Sequence, residues 1–137
     1  MPTMACQRVR SVILLIHGAD TPTQPEWDEY LKLVEDSRGL VTQVLVDSAG
    51  GAPTPTMRAE VQKRYNTYKP SAPPVAVLSN SMIARGIVTA ISWGYGRDKI
   101  RAFAPGELDA ALDWLKLDRV FANDVRKTIP VLKSKLG

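Results

Sequence analysis

The chain has 137 residues, 45% of them hydrophobic and 23% charged, with one cysteine, one histidine and a net charge of +4. A chain of this size buries roughly two-thirds of its unfolded surface, which suits one globular domain with a core of its own. Cys6 alone excludes a disulfide framework or a cysteine metal cluster, and His17 alone leaves zinc short of its usual ligands.

The opening stretch MPTMACQRVR lacks the apolar centre of a secretory signal. No window approaches about 18 consecutive apolar residues, so no membrane span is expected. Together these point to a cytoplasmic protein. The pattern around Gln7 to Arg10 is ambiguous and leaves room for an extra short strand.

SVILLIH, from Ser11 to His17, is a continuous apolar run of strand length, as in sheets covered on both faces. A turn and a helix follow in ADTPTQPEWDEYLKLVED. Thr21 or Thr23 can cap that helix, Pro25 suits its first turn, and Glu26 complements the positive end of its dipole. Trp27, Tyr30, Leu31 and Val34 fall on one helical face, and Gly39 terminates the element. LVTQVLVD is a second strand, ending at Asp47.

The loop SAGGAPTPT excludes regular structure. MRAEVQKRYNTYK then reads as a helix with Thr56 as its N-cap, and Pro70, Pro73 and Pro74 interrupt the chain again. PVAVLS is a third strand. MIARGIVTAISW is a third helix, with the glycines of GYGRD as its cap. KIRAFA is a fourth strand and PGELDAALDWL a fourth helix. The tail carries Leu117, Val120, Phe121, Val125, Ile129, Leu132 and Leu136 at amphipathic spacing, with a kink or break expected at Pro130.

The order β-α-β-α-β-α-β-α-α implies an α/β fold with a mainly parallel sheet of four to five strands and right-handed crossovers. Residues 1–115 form the α/β core of a single domain. Residues 116–137 form a basic amphipathic helical segment of the same domain. Six basic residues from Lys116 onward (Lys116, Arg119, Arg126, Lys127, Lys133, Lys135) meet only Asp118 and Asp124, so the whole net charge of +4 sits in this segment. A solvated helix face is the simpler account of such a run, with an acidic protein or anionic lipid as the alternative. Nucleic acid is not expected, because the segment has one aromatic and no recognised binding motif.

Catalytic readings fit poorly. AISWG places Ser92 in an A-x-S-x-G frame, but at the end of a helical pattern instead of after a strand, and no histidine lies downstream. A small hydrolase built on His17 and Ser92 is therefore the last choice. GYGRDK lacks the spacing of either nucleotide-binding fingerprint and precedes a strand. LSNSMIARG is a better anion candidate, with Ser79 and Ser81 at a helix N-terminus and Arg85 one turn on, although helix capping explains the serines more simply. No catalytic residue, metal ligand or cofactor is assigned, and the chain is not expected to be an enzyme.

From Pro74 to Leu115 the motifs are more specific: Arg85-Gly86, Val88-Thr89-Ala90, Ser92-Trp93, Ala102-Phe103, Pro105, Glu107-Leu108-Asp109, Ala111-Leu112 and Trp114-Leu115. This half, preceded by SVILLIHGADTPTQPEWDEYLKLV and VTQVLVDSAGG in the same order, resembles bacterial STAS-like proteins of the SpoIIAA-like fold over roughly residues 11–115. The resemblance implies a regulatory, partner-switching module. It gives His17 a strand-end place with no catalytic role. It also implies a phosphorylation switch where VDSAGGAPTPTM lies, with Ser48, Thr54 and Thr56 as candidates. This sequence departs from the family's pattern at Ala49, where a second hydroxyl would stand, and in the inserted GGAPTP.

The expectation is thus a non-enzymatic STAS-like regulatory or protein-interaction module with a regulator or kinase-type protein partner. The partner surface would use Asp47, Arg58, Lys63 and Arg64 beside the switch loop. The alternative is a domain binding a lipid or small apolar ligand, SEC14-like, through the Trp93, Tyr95 and Phe103 region. For the apolar face of the tail, homodimerisation and docking onto the core are both open.

Overall fold

The computed structural model describes residues 2–68, 73–80, 86 and 99–136. Five strands form one sheet: β1 (Met4–Val9), β2 (Val12–His17), β3 (Gln43–Ser48), β4 (Val75–Ser79) and β5 (Ile100–Phe103). Their order across the sheet is their order in the chain. β1 runs antiparallel to β2, and the other three pairings are parallel, so the sheet is mixed.

β1 is the short strand left ambiguous by the sequence, and it reaches further back, to Met4. Val9 pairs with Val12, which leaves a two-residue turn in which Arg10 takes a left-handed φ of 52°. A non-glycine residue there is uncommon. The sequence therefore carries none of the Asn-Gly or Asp-Gly signal that usually marks such a hairpin.

Helix α1 (Gln24–Asp36) follows β2. Thr23 caps it, and TQPE forms a capping box in which Thr23 and Glu26 satisfy each other's main-chain N–H groups. The helix ends at Ser37, and Gly39 turns the chain back with a φ of 78°. Helix α2 (Pro55–Tyr68) follows β3. Its cap is Thr54, not Thr56: the Thr54 hydroxyl accepts from the Met57 N–H at 3.2 Å, and its carbonyl accepts from Arg58 at 3.0 Å. Pro55 then occupies the first helical position, where a missing N–H costs nothing. The expected third helix, and the glycines expected to cap it, lie outside the described residues apart from Gly86.

After β5 a 3-10 turn (Pro105–Glu107) leads into α3 (Leu108–Trp114). Helix α4 (Arg119–Lys133) begins at Asp118, whose carboxylate accepts from the Phe121 N–H at 2.8 Å. The helix runs through Pro130 to Lys133, where a kink or break was expected. Pro130 lies within the last turn, so its missing donor removes one bond close to where the ladder ends anyway.

The sheet separates two apolar layers. On one face Ile13, Leu15 and Val44 meet Trp27, Tyr30, Leu31 and Val34 of α1 and Met57 of α2. On the other, Val12, Leu14, Ile16, Leu45, Ala76, Leu78 and Phe103 meet α3 and the Ala122, Val125, Ile129 and Leu132 stripe of α4. Period-two alternation along β2 supplies both layers from one strand. Strands that advance one way across a sheet through right-handed crossovers keep successive helices on one face, which is where α1 and α2 lie. The apolar stripe of α4 is thus covered by the sheet of its own chain.

Candidate functional site

The parallel strands β2, β3 and β4 end in register on His17, Ser48 and Ser79. In-register neighbours share a face, so these three side chains make a polar row on the α1–α2 side of an otherwise apolar layer. All three are buried, at 3%, 5% and 1% exposure.

The loop after β3 is built on this row. The Ser48 hydroxyl donates to the Gly51 carbonyl at 2.6 Å and accepts from the Gly50 N–H at 3.0 Å. The Gly51 N–H donates to the Gly18 carbonyl at 2.8 Å, and the Ala49 N–H to the His17 carbonyl at 3.1 Å. A Cβ on Gly51 would sit 2.7 Å from the Gly18 oxygen and closer still to that of Asp20, so only glycine lets the two loops cross. Further on, the Arg58 guanidinium donates to the Pro53 carbonyl at 3.1 Å. The indole of Trp27 donates to the Met57 carbonyl at 3.0 Å in the interior, tying α1 to the first turn of α2.

This arrangement sorts the three switch candidates. Ser48 is interior and occupied with its own turn. Thr54 and Thr56 are exposed at the mouth of α2. Of the surface candidates, Arg58 is half-buried against the loop, and Lys63 is exposed on α2. Arg64 reaches Glu35 of α1 at 3.0 Å. Asp47 is not with them. Its side chain lies on the opposite face of the sheet, in register with Ile16 and Leu78, and forms an ion pair with Lys133 of α4 at 3.1 Å. Of the anion-site candidates, Ser79 is buried in the polar row, and Ser81 and Arg85 lie outside the described residues. So do Ser92, Trp93 and Tyr95; Phe103 packs in the core, with its ring centroid 6.1 Å from that of Trp114.

Burial lowers the pKa of the His17 imidazole to about 4, against a smaller upward pull from Glu26, so the ring is neutral at pH 7. Its Nδ1 has no hydrogen-bond partner among the described residues. The Ser48 proton is directed at a carbonyl and not at the imidazole, so this pair does not form an activated nucleophile. Burial, helped by Glu29 and opposed by Lys135, raises the Cys6 thiol to about 11 and keeps it protonated. Among the described residues no cluster of three or more His, Cys, Asp or Glu side chains could hold a metal ion. No helix there is long and apolar enough to cross a membrane.

No family model, no curated protein and no solved structure matches this chain.

One residue carries more than the sequence reading gave it. Glu26, read there only as a complement to the helix dipole, collects five donors. Its Oε2 accepts from the main-chain N–H groups of Thr3 at 2.8 Å and Met4 at 3.0 Å. Its Oε1 accepts from the N–H and the hydroxyl of Thr23, each at 3.0 Å, and from the hydroxyl of Thr3. Desolvation would raise this carboxyl, but the hydrogen bonds outweigh it and hold the pKa at about 2. The Thr23-x-x-Glu26 spacing was a signal for the capping half of this cluster. Nothing local signals the Thr3 half, which depends on β1 folding back beside β2.

The tail's positive charge is partly spent inside the domain. Arg126 pairs with Asp109 of α3 at 2.7 Å and Lys133 with Asp47, while Asp124 of the tail receives Arg10 at 3.0 Å. Val120 and Val131, 61% and 54% exposed, lie on the outer side of α4.

Proposed function

We propose that this chain is a non-enzymatic, STAS-like regulatory module of the SpoIIAA-like fold, acting in the cytoplasm. It binds a protein partner through the loop from Ser48 to Thr56 and the start of α2, and phosphorylation of that loop switches the binding. The observation that carries this reading is the exposure of Thr54 and Thr56 at the N-terminus of a helix whose loop is otherwise pinned. A phosphate there adds about −1.5 to −2 of charge to a surface that also holds Arg58 and Lys63, changing its complementarity to a partner without rebuilding the core.

The sheet order supports a binding module over a cofactor enzyme. In open α/β sheets, ligands bind where the strand order reverses. Here the order advances from β1 to β5 without reversal among the described strands. Ser48, being interior, is a structural part of the loop in this reading, and Thr54 and Thr56 carry the switch.

The test is a binding comparison. Partners are captured from native lysate with the wild-type protein and with Thr54→Asp, Thr56→Asp and the double variant. Loss or exchange of a partner in the acidic variants supports the switch. An identical partner set in all four moves recognition away from this loop. In parallel, intact-mass and peptide mapping after incubation with lysate and ATP should place phosphate on residues 52–57; phosphate found only elsewhere counts against the proposal.

A further inference from the structure

We infer that the outer side of α4 is a docking surface for an anionic lipid bilayer, on which the helix lies flat. The basic charges of the segment that begins at Lys116 fall into two groups. Arg126 and Lys133 are engaged by Asp109 and Asp47. Lys116, Arg119, Lys127 and Lys135 are exposed, and none of these side chains makes a hydrogen bond or ion pair with a described residue. The two carboxylates of the segment are both occupied: Asp118 caps the helix and Asp124 receives Arg10.

Apolar side chains share this face. Val120, Lys127 and Val131 stand at i, i+7 and i+11 of α4, within about 40° of one another round the helix. They lie on the side away from Val125, Ile129 and Leu132, which the sheet covers. Val120 and Val131 are two of the three large apolar side chains exposed among the described residues. The rise between them is about 16 Å. Exposed cations alone are what a solvated helix face looks like. Two valines in line with Lys127 add an apolar contact that such a face lacks.

The shape of the face favours lipid over an acidic protein. Protein interfaces centre on an aromatic or arginine anchor seated in a pocket. This ridge is convex, and its centre is Lys127 with a valine on either side. A fluid headgroup layer conforms to such a ridge. Its phosphates meet separated cations wherever they stand, and shallow apolar side chains settle between them while the lysine stems extend alongside. The whole net charge of +4 lies in this segment, so the field of the protein turns this face toward an anionic surface first. Helices α1 and α2 pack on the other face of the sheet, so docking leaves them turned to water. The inference therefore does not rest on the proposed switch.

Co-sedimentation of the whole chain with vesicles tests this. The wild type should bind vesicles made of equal parts phosphatidylglycerol and phosphatidylcholine, should not bind phosphatidylcholine alone, and should be released by salt. Each basic residue at an anionic bilayer strengthens binding about five-fold. Lys127→Gln should therefore weaken binding about five-fold, and Arg119→Gln with Lys127→Gln about 25-fold. Lys32→Gln makes the same change of charge on α1, across the sheet, and should leave binding unchanged. Val120→Ser with Val131→Ser should weaken it several-fold at constant charge. All these positions are exposed, and unaltered urea midpoints confirm that the variants fold. Equal binding to phosphatidylcholine alone, no binding to the mixture at low salt, or equal losses from Lys32→Gln and Lys127→Gln overturns the proposal. Capture of an acidic protein that Lys127→Gln abolishes, without vesicle binding, overturns it too and makes this face a protein-docking surface.

Discussion

The indole N–H of Trp27 on α1 donates to the main-chain carbonyl of Met57 on α2, 3.0 Å away in the interior. That carbonyl lies in the first turn of the helix behind the candidate switch loop, so the bond ties the end of the loop to α1. Trp27→Phe leaves the carbonyl without this donor and removes part of a fully buried side chain. The expected cost is about 2–4 kcal/mol from the lost bond and the space left behind. Urea unfolding measures it, and partner capture should weaken in the same variant.

Gly51 is expected to be the least replaceable glycine among those described. A methyl there meets two main-chain oxygens that cannot turn aside. Gly51→Ala should cost about 3 kcal/mol or more. Gly39→Ala makes the control: its φ of 78° strains an alanine, but nothing lies within 4 Å of the added methyl. Its cost should stay near 1 kcal/mol, the penalty for the left-handed backbone alone.

Acid should destabilise the domain in two steps. The His17 imidazole has its pKa lowered from 6.5 to about 4 in the folded protein, so the unfolded chain takes up the proton first. The stability that depends on a neutral ring is complete above pH 6.5 and is lost as the pH falls to about 4, in total about 3 kcal/mol. The Glu26 carboxyl is lowered from 4.5 to about 2, so its contribution is present above 4.5 and is lost as the pH falls toward 2. Urea midpoints across this range should show both steps, with His17→Phe lacking the upper one and Glu26→Gln the lower.

Thr54 and Thr56 should differ in stability although both are exposed. Thr54→Ala removes the cap on the Met57 N–H and should cost about 1 kcal/mol. Thr56→Ala touches no bond of this kind and should fall within about 0.5 kcal/mol of wild type. Thermal unfolding of the two variants separates a capping role from a signalling role.

Helix α4 should prove indispensable to the core. Leu132 is fully buried against the sheet. Leu132→Ala is expected to cost about 2–5 kcal/mol. Val120→Ser and Val131→Ser, on the outer side of the same helix, should change stability by less than about 0.5 kcal/mol. Denaturant titration of the three variants checks the orientation of the helix directly.

The parts of the fold that were legible in the sequence are those whose signal is local. The continuous apolar run of β2, the spacing of Trp27, Tyr30, Leu31 and Val34, and the amphipathic tail all report periodicities that burial enforces. What was not legible depends on partners far along the chain. β1 alternates only weakly, and its hairpin turns at Arg10 without a glycine or asparagine to mark it. The cap of α2 moved from Thr56 to Thr54 because either threonine precedes a plausible first turn, and only the placement of Pro55 at the first helical position decides between them. Glu26 could be seen as a first-turn acid but not as the anchor of Thr3. Asp47 sat beside Ser48 in the sequence, yet alternation along β3 sends the two side chains to opposite faces, one to the switch loop and the other to Lys133.

The one-way winding of the sheet bears on how the chain is made. As it leaves the ribosome, each new strand from β2 onward can pair with the one just before it, so half of the architecture assembles in the order of synthesis. The layer of Val12, Leu14 and Ile16 has no such early partner. It stays uncovered while the three further described strands are laid down, and is sealed only when α4, which lies C-terminal to all of them, folds back across β1 and β2. Until that moment the nascent chain carries a greasy sheet face in water, and this is the interval in which a chaperone, or a neighbouring nascent chain, would find it.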